Sequence, residues 1–390
     1  MTVVIIGSIV LMVLYVALIL YYSLAWYGIP EYDQSTFQSQ PSTFITVIIP
    51  ARNEATNIKA CLETIASQIY PENLFEVLVI DDHSTDNTEG IVLSFTAKNI
   101  KLISLKEYIG EGQINSYKKK AIEIGVQESS GKLIVTTDAD CLVPVNWLAT
   151  IAAFYEEYNP AFIAAPVSIN SNLNFGEIFQ TLDFMTLQGI TAASVHKKIH
   201  SMCNGANLAY ERAAFYEVDG FNGIDSIASG DDMLLMHKIY TRYPQRVLFL
   251  KSKNAIVQTA AQKTIGAFFN QRIRWASKAD KYDDKRILSV LVLVYLFNVI
   301  LLAIPILCYF VNIQYVIFNI ECSMIELWIL LLVFKTLIEL FFLFPVAGFF
   351  NKRSLLWFFP IMQPFHIIYT VTAGWLGKFG TYTWKERKVK

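Results

Sequence analysis

Residues 133–140 read Leu-Ile-Val-Thr-Thr-Asp-Ala-Asp, an apolar run that ends in two carboxylates one residue apart. Read as a buried parallel strand, the run turns successive side chains to opposite faces, so Asp138 and Asp140 share a direction as the chain leaves the sheet. In open α/β sheets ligands bind outside the carboxyl ends of the strands. Two acids with no lysine or arginine beside them repel each other unless a cation joins them. A divalent metal carrying a diphosphate meets that need. A solvated Asp-rich turn is the plain structural alternative for a lone Asp-x-Asp, so the other motifs must decide.

Five further patches carry suitable chemistry. Pro50, Ala51 and Glu54, within Pro-Ala-Arg-Asn-Glu, follow one apolar run, and Asp81-Asp82 follow a second, so both fall at the same crevice. An acid there accepts hydrogen bonds from a uracil ring or from ribose hydroxyls. Lys118, Lys119 and Lys120 open a predicted helix, and a solvated basic face accounts for two of the three. Gly230-Asp231-Asp232 precedes a helix predicted over 233–243. A carboxylate there is commonly a cap, which suits Asp231 and leaves Asp232 as the candidate base. Gln271, Arg274 and Trp275 stand at i, i+3 and i+4 on one helix face. A guanidinium fork suits a diphosphate, and an indole offers a flat face to a sugar or acceptor. The structural alternative is an amphipathic helix with an interfacial tryptophan.

The elements that must hold these residues alternate. Strands are predicted over 43–50, 75–80, 100–105 and 132–137, and helices over 55–68 and 117–128, with Asp86 and Glu89 as a capping box for a helix between them. That order implies right-handed βαβ units and a largely parallel sheet, an α/β fold. Residues 175–190 place Phe175, Ile178, Phe179, Leu182, Met185 and Ile190 at helical spacing with Glu177, Gln180 and Asp183 between them. Such a helix packs on a core or lies in a membrane interface.

Charge is balanced, 32 basic residues against 33 acidic ones in 390, which argues against nucleic acid as a partner. The hydrophobic fraction of 54%, aromatic fraction of 14% and mean hydropathy of +0.39 point instead to membrane segments. Residues 3–22 hold no charge and suffice to cross a hydrocarbon core; they pass into aromatic residues rather than a cleavage site, as an uncleaved anchor would. Further apolar segments cover 288–311, 325–350 and 355–376. The last carries Pro360, Gln363, Pro364 and His366, and basic groups flank the segments at Lys285-Arg286, Lys352-Arg353 and in the tail at Lys385, Arg387, Lys388 and Lys390. Placing every basic group in the cytosol forbids three full crossings, so the last segment is expected not to cross fully. Cys61, Cys141, Cys203, Cys308 and Cys322 are scattered and fit reduced thiols. The expected organisation is an anchor over 1–28, a linker over 29–42, a catalytic domain over 43–283, a membrane region over 284–378 and a basic tail over 379–390.

Across residues 44–275 the chain resembles the family 2 glycosyltransferases, membrane-bound inverting enzymes of GT-A fold. Val-Ile-Ile-Pro-Ala-Arg-Asn-Glu, Val-Ile-Asp-Asp, Lys118, Asp-Ala-Asp, Asp-Asp and Gln-x-x-Arg-Trp stand in the family's order. The resemblance implies that Pro50, Ala51, Glu54, Asp82 and Lys118 help hold the nucleotide, with Asp138 on its ribose or base. It implies Mg²⁺ or Mn²⁺ on Asp140, Asp232 as general base, and Gln271, Arg274 and Trp275 closing over donor and acceptor. Asn204, Gly205, Asn207 and Asp231 fall where the family shapes its acceptor site. The base motif reads Gly-Asp-Asp where relatives often have Glu-Asp or Thr-Glu-Asp, and the second acid is kept. The implied partners are a nucleotide-diphosphate sugar, with UDP ahead of GDP, a lipid-linked or membrane-associated acceptor, and the bilayer of a plasma (inner) membrane with the catalytic domain in the cytosol.

Three readings follow. The first is single transfer to a membrane acceptor. The second is a processive polysaccharide synthase, for which one chain with so few segments makes a small channel. The third is a membrane-tethered, non-catalytic nucleotide-sugar binder, which loss of a motif acid would favour; none is lost. A dinucleotide dehydrogenase is disfavoured because no Gly-x-Gly-x-x-Gly follows the first strand.

Overall fold

The computed structural model describes residues 2–36, 40–109, 116–171, 173–227, 230–278, 284–310, 314–317, 320–380, 382–384 and 387–389. The chain divides into two compact units, one of Ile29–Asn170 and Thr191–Ala261, the other of Met1–Gly28, Ser171–Ile190 and Gln262–Lys390. Contacts thus group residues 171–190 and those from 262 onward with the apolar helices, where a continuous segment to residue 283 was expected.

The first unit is built on β-branched runs that bury both faces. Its strands are β1 (Ile45–Ala51), β2 (Phe75–Asp81), β3 (Ile100–Ser104), β4 (Leu133–Thr136), β5 (Phe162–Ala164), β6 (Val167–Asn170), β7 (Leu208–Glu211), β8 (Val247–Phe249) and β9 (Val257–Ala260). Seven form one sheet in the order β3-β2-β1-β4-β7-β5-β8, and β6 pairs with β9. The β1, β2, β3 and β4 neighbours are parallel, as are β5 and β8, while β7 runs antiparallel between β4 and β5. Every residue of β2 and all but Pro50 of β1 are buried, as a strand covered on both faces requires. Ile45 pairs with both Phe75 and Leu133, so β1, β2 and β4 start level and deliver their following loops to one edge.

A buried carboxylate fixes that register. Glu76 on β2 accepts from Thr46 Oγ1 on β1 at 2.9 Å, from Ser130 N before β4 at 2.7 Å and from Lys101 Nζ on β3 at 3.1 Å. Burial works against its charge, but these donors outweigh it and hold its carboxyl below the usual range.

The helix predicted over 117–128 is observed as Tyr117–Glu128. That predicted over 55–68 is shorter, Ile58–Ala66, because Glu54 O accepts from both Asn57 N and Ile58 N and holds the entry as a turn. The expected capping box is absent. Asn87 precedes the helix Thr88–Leu93 without a side-chain cap, and Asp86 instead accepts from Thr88 N and from Ala55 N, each at 3.0 Å, joining the loops after β2 and β1.

Among the described residues the second unit contains four helical stretches long and apolar enough to cross a membrane: Val4–Tyr27, Lys285–Phe310, Met324–Phe349 and Arg353–Phe379. The chain is therefore membrane-associated. The last stretch, expected not to cross fully, has 27 residues. Its turn Arg353–Phe358 leads into the helix Phe359–Phe379, with Pro360 in the first turn, where no N–H is needed, and Pro364 inside. One polar cluster of these helices is internal: Lys335 Nζ donates to Glu339 at 2.8 and 3.0 Å and to Gln363 Oε1 at 2.7 Å, and Glu339 also accepts from Tyr15. Of the helix Phe175–Lys197, residues 175–190 belong to this unit, and Ile178, Leu182, Phe184 and Met185 are buried. A Cβ on Gly189 would come within 2.8 Å of Phe342, so core packing answers for this apolar face. Of the charged positions expected around it, 279–283, Lys385 and Lys390 lie outside the described residues.

Candidate active site

The loops after β1 and β2 are bound to each other before any ligand arrives. Arg52 Nη1 donates to Asp82 O at 2.7 Å and lies 3.7 Å from Asp82 Oδ1, while His83 Nδ1 is 3.1 Å from the same oxygen. Asn53, at φ 52°, accepts from Thr85 N at 2.8 Å and donates its own N–H to Ser84 Oγ at 3.0 Å. Glu54 accepts from Asn57 Nδ2 at 2.8 Å, and its N–H goes to Thr88 Oγ1. Pro50 and Ala51 end β1 beside Ile80 and Asp81. Asp82 is therefore a buried, ion-paired group at this edge, and Glu54 is a partly exposed one.

Strand β4 stops at Thr136, so a turn, not strand alternation, brings Asp138 and Asp140 together. One carboxylate oxygen of each and Cys141 Sγ lie within 4.8 Å of one another. Asp140 is exposed, and Cys141 is buried with its thiol 3.6 Å from Asp140 Oδ1. Burial, then the charges of Asp140 and Asp138, push that thiol well above its ordinary value, so it is a protonated donor.

Lys118 joins this turn to the start of another helix. Its ammonium lies 2.8 Å from Asp138 Oδ1 and 3.2 Å from Asp231 Oδ2. Burial opposes its charge, yet Asp138, Asp231 and Asp232 outweigh that and hold its pKa above the ordinary lysine range. The helix starts at Asp231, not 233, after Gly230 at φ +81°, a left-handed conformation that favours glycine. Asp231 is thus an ion-pair partner of Lys118 and not the cap expected of it. Asp232 Oδ2 accepts from Gly205 N at 3.1 Å and Oδ1 from Met233 N at 2.8 Å. Glycine at 205 permits this approach, since a Cβ there would lie 3.1 Å from Lys118 Nζ.

Two expectations are corrected here. Of the three lysines only Lys120 is a surface group, paired with Glu123; Lys119 is buried and donates to Ile224 O and Ile227 O at 2.6 and 2.7 Å. Asn207, expected at the acceptor region, is an internal tie: fully buried, it donates to Pro166 O and Ala255 O and accepts from Trp147 Nε1. Asn204 is partly exposed and its side chain accepts from Ala206 N.

In the other unit, Gln271, Arg274 and Trp275 sit on the helix Ile265–Ala276, capped by Thr264, whose side chain accepts from Ala267 N. All three are partly exposed. The residue between them, Arg272, is buried; it donates to Gln271 Oε1 at 2.8 Å and its guanidinium carbon lies 4.3 Å from the Trp275 ring centroid. Arg272 was not among the expected site residues, and Asp183 was expected only as a polar residue of the 175–190 helix. The available signal was an acid set among apolar residues on the 175–190 helix.

Residues 46–219 match the family model described as Glycosyl transferase family 2, and residues 133–369, more than half of the chain, match that of Glycosyl transferase family group 2. The chain belongs to glycosyltransferase family 2. Among curated relatives of this glycosyltransferase, "Glycosyltransferase AglE" of Haloferax volcanii is 40% identical over 105 residues, covering 27% of this chain and 33% of that protein. "Probable glycosyltransferase YdaM" of Bacillus subtilis is 27% identical over 244 residues, 60% of this chain and 54% of that one. The chain thus spans a third to about half the length of these two. In fold it is similar to a mannosyltransferase from Pyrobaculum calidifontis solved with GDP-Man and Mn²⁺, at TM-score 0.58 and 18% identity, over 93% of this chain and 99% of that one.

The donor set of this glycosyltransferase fits a hard divalent cation. Two carboxylates converge in one turn, one of them exposed, with Cys141 Sγ grouped beside them. Oxygen ligands with open positions suit Mg²⁺ or Mn²⁺.

Proposed function

We propose that this chain is an inverting glycosyltransferase that moves a sugar from a nucleotide-diphosphate donor, UDP-linked ahead of GDP-linked, to a lipid-linked or membrane-associated acceptor. The observation that carries the reading is the single ammonium of Lys118 between Asp138 and Asp231, which gathers the Asp-Ala-Asp turn and the Asp-Asp helix start around one point with Asp232 alongside.

The chemistry follows from those groups. The acceptor hydroxyl oxygen bonds to the anomeric carbon as the bond from that carbon to the diphosphate oxygen breaks, and the proton passes to the Asp232 carboxylate. One displacement inverts the anomeric centre. Gly205 N and Met233 N orient Asp232 for that task. Lys118 offsets the acids that a diphosphate must approach. Asp140, with Asp138 beside it, would hold a divalent metal, which when bound neutralises charge on the leaving diphosphate. Pro50, Ala51, Glu54 and Asp82 serve the nucleotide, Asn204, Gly205 and Asp231 border the acceptor, and the resemblance assigns Gln271, Arg274 and Trp275 to donor and acceptor. The four apolar helices support a bilayer setting, with the sheet unit on the cytosolic side of a plasma membrane as the proposed orientation.

The test is transfer from a panel of radiolabelled UDP and GDP sugars by protein in lipid nanodiscs with Mn²⁺. Label in the organic phase that Asp140→Asn and Asp232→Asn both abolish is the expected result. Label in insoluble polymer would instead indicate a synthase, and nucleotide binding with no transfer would leave only a tethered binder.

A further inference from the structure

Within the helical unit, the Gln-x-x-Arg-Trp stretch is tied down by a residue its motif leaves unnamed. Arg272 is 5% exposed, and every side of its guanidinium is engaged. Nε and Nη2 donate to Asp183 Oδ2 at 3.1 and 2.5 Å. Nη1 donates to Gln271 Oε1 at 2.8 Å, and the guanidinium lies 4.6 Å from the Phe268 ring centroid and 4.3 Å from that of Trp275. Asp183 is fixed in turn: Tyr369, on the helix Phe359–Phe379, donates to its other oxygen. Phe184 reaches the Trp275 ring with centroids 6.3 Å apart.

We propose that Arg272, held by Asp183 and Tyr369, is the positioning residue that sets the orientations of Gln271 and Trp275. The inference rests on the transferase reading for its effect on turnover, though not for its geometry. Only a planar, forked cation can satisfy a carboxylate along one edge, donate to an amide from another nitrogen and present a face to an indole. Lysine, a point charge, must share one nitrogen between carboxylate and amide and has no plane to lay on the indole. A buried ion pair is weak evidence for stability as such, since apolar residues of like volume replace such pairs without loss. What apolar residues cannot supply is the bond to Gln271 and the electrostatic contact on Trp275.

The test labels the protein with fluorotryptophan, assigns the Trp275 fluorine resonance by Trp275→Phe, and measures transfer in nanodiscs alongside thermal midpoints. Arg272→Lys is expected to move or broaden the Trp275 resonance while the other tryptophans hold, and to lower kcat about 10- to 100-fold, the scale of a small misplacement in an active site. The double variant Asp183→Leu with Arg272→Met removes both charges together, so it folds even where a single charge removal does not. It is expected to keep a near wild-type midpoint with a displaced Trp275 resonance and low turnover. A double variant with the Trp275 resonance unmoved and full turnover would overturn the proposal. If wild-type protein transfers no sugar, the transferase reading fails, and the resonance alone still decides the positioning.

Discussion

Lys118 Nζ stands 2.8 Å from Asp138 Oδ1, and the same ammonium reaches Asp231 at 3.2 Å, so one cation spans two motifs far apart in sequence. Removing it in Lys118→Met leaves Asp138, Asp231 and Asp232 to repel one another. Because Asp138 is 38% exposed, solvent screens part of the effect, and the expected loss of stability is about 1–2 kcal/mol. Nucleotide-sugar affinity is expected to fall about tenfold, read by calorimetric titration, since about 1.4 kcal/mol of lost attraction corresponds to that factor.

Asp232→Asn keeps the acceptor of the Gly205 N–H bond and deletes the base. The expected outcome is a fall in kcat of about 10²- to 10⁴-fold with donor KM little changed, measured by initial rates. An equal fall in affinity and rate would make Asp232 a binding group instead.

Asp140→Asn removes the exposed acid of the converging pair. Mn²⁺-dependent tightening of UDP binding is expected to vanish while metal-free UDP binding persists, as titrations with and without chelator would record. Loss of both would mean that Asp140 touches the nucleotide itself.

Lys335→Met strands Glu339 among apolar helices, with Tyr15 and Gln363 still donating to it. The cost expected is about 3–5 kcal/mol, and Lys335→Met with Glu339→Gln should recover most of it. Thermal midpoints in one detergent compare the two.

Glu76 gives the acid-side prediction. Its carboxyl lies below the unfolded value of about 4.3, so the stability it contributes is complete above that value and is lost as pH falls through the folded one. Glu76→Gln is expected to be less stable at pH 7 and to lose less on acidification below about pH 5, read from midpoints across pH. Parallel pH curves for the two proteins would exclude the linkage.

Local patterns carried much of this protein. Apolar runs named β1, β2 and β4, because strands buried on both faces are mostly apolar, and the helix at 117–128 was legible to the residue. Long apolar runs named the membrane helices for the same reason: length and composition are local properties. In the 355–376 segment the prolines do not end the helix: Pro360 sits in a first turn that has no N–H to lose, and Pro364 is accommodated inside.

The roles of individual polar side chains were decided elsewhere. Lys118, Lys119 and Lys120 are identical in sequence terms, yet one bridges two acids, one is buried against carbonyls and one meets solvent. Asp231 reads as a cap until Lys118 lies beside it, Asn207 reads as an acceptor group until Trp147 covers it, and Arg272 reads as a spacer until Asp183 faces it. Sequence alone determined which chemistry the chain possesses and the order in which it appears, because residue type and periodicity act over a few positions. Only tertiary structure decided which groups share a site, because charge pairing and hydrogen bonding depend on distance in space, and residues such as Arg272 and Asp183 meet only once separate helices have packed.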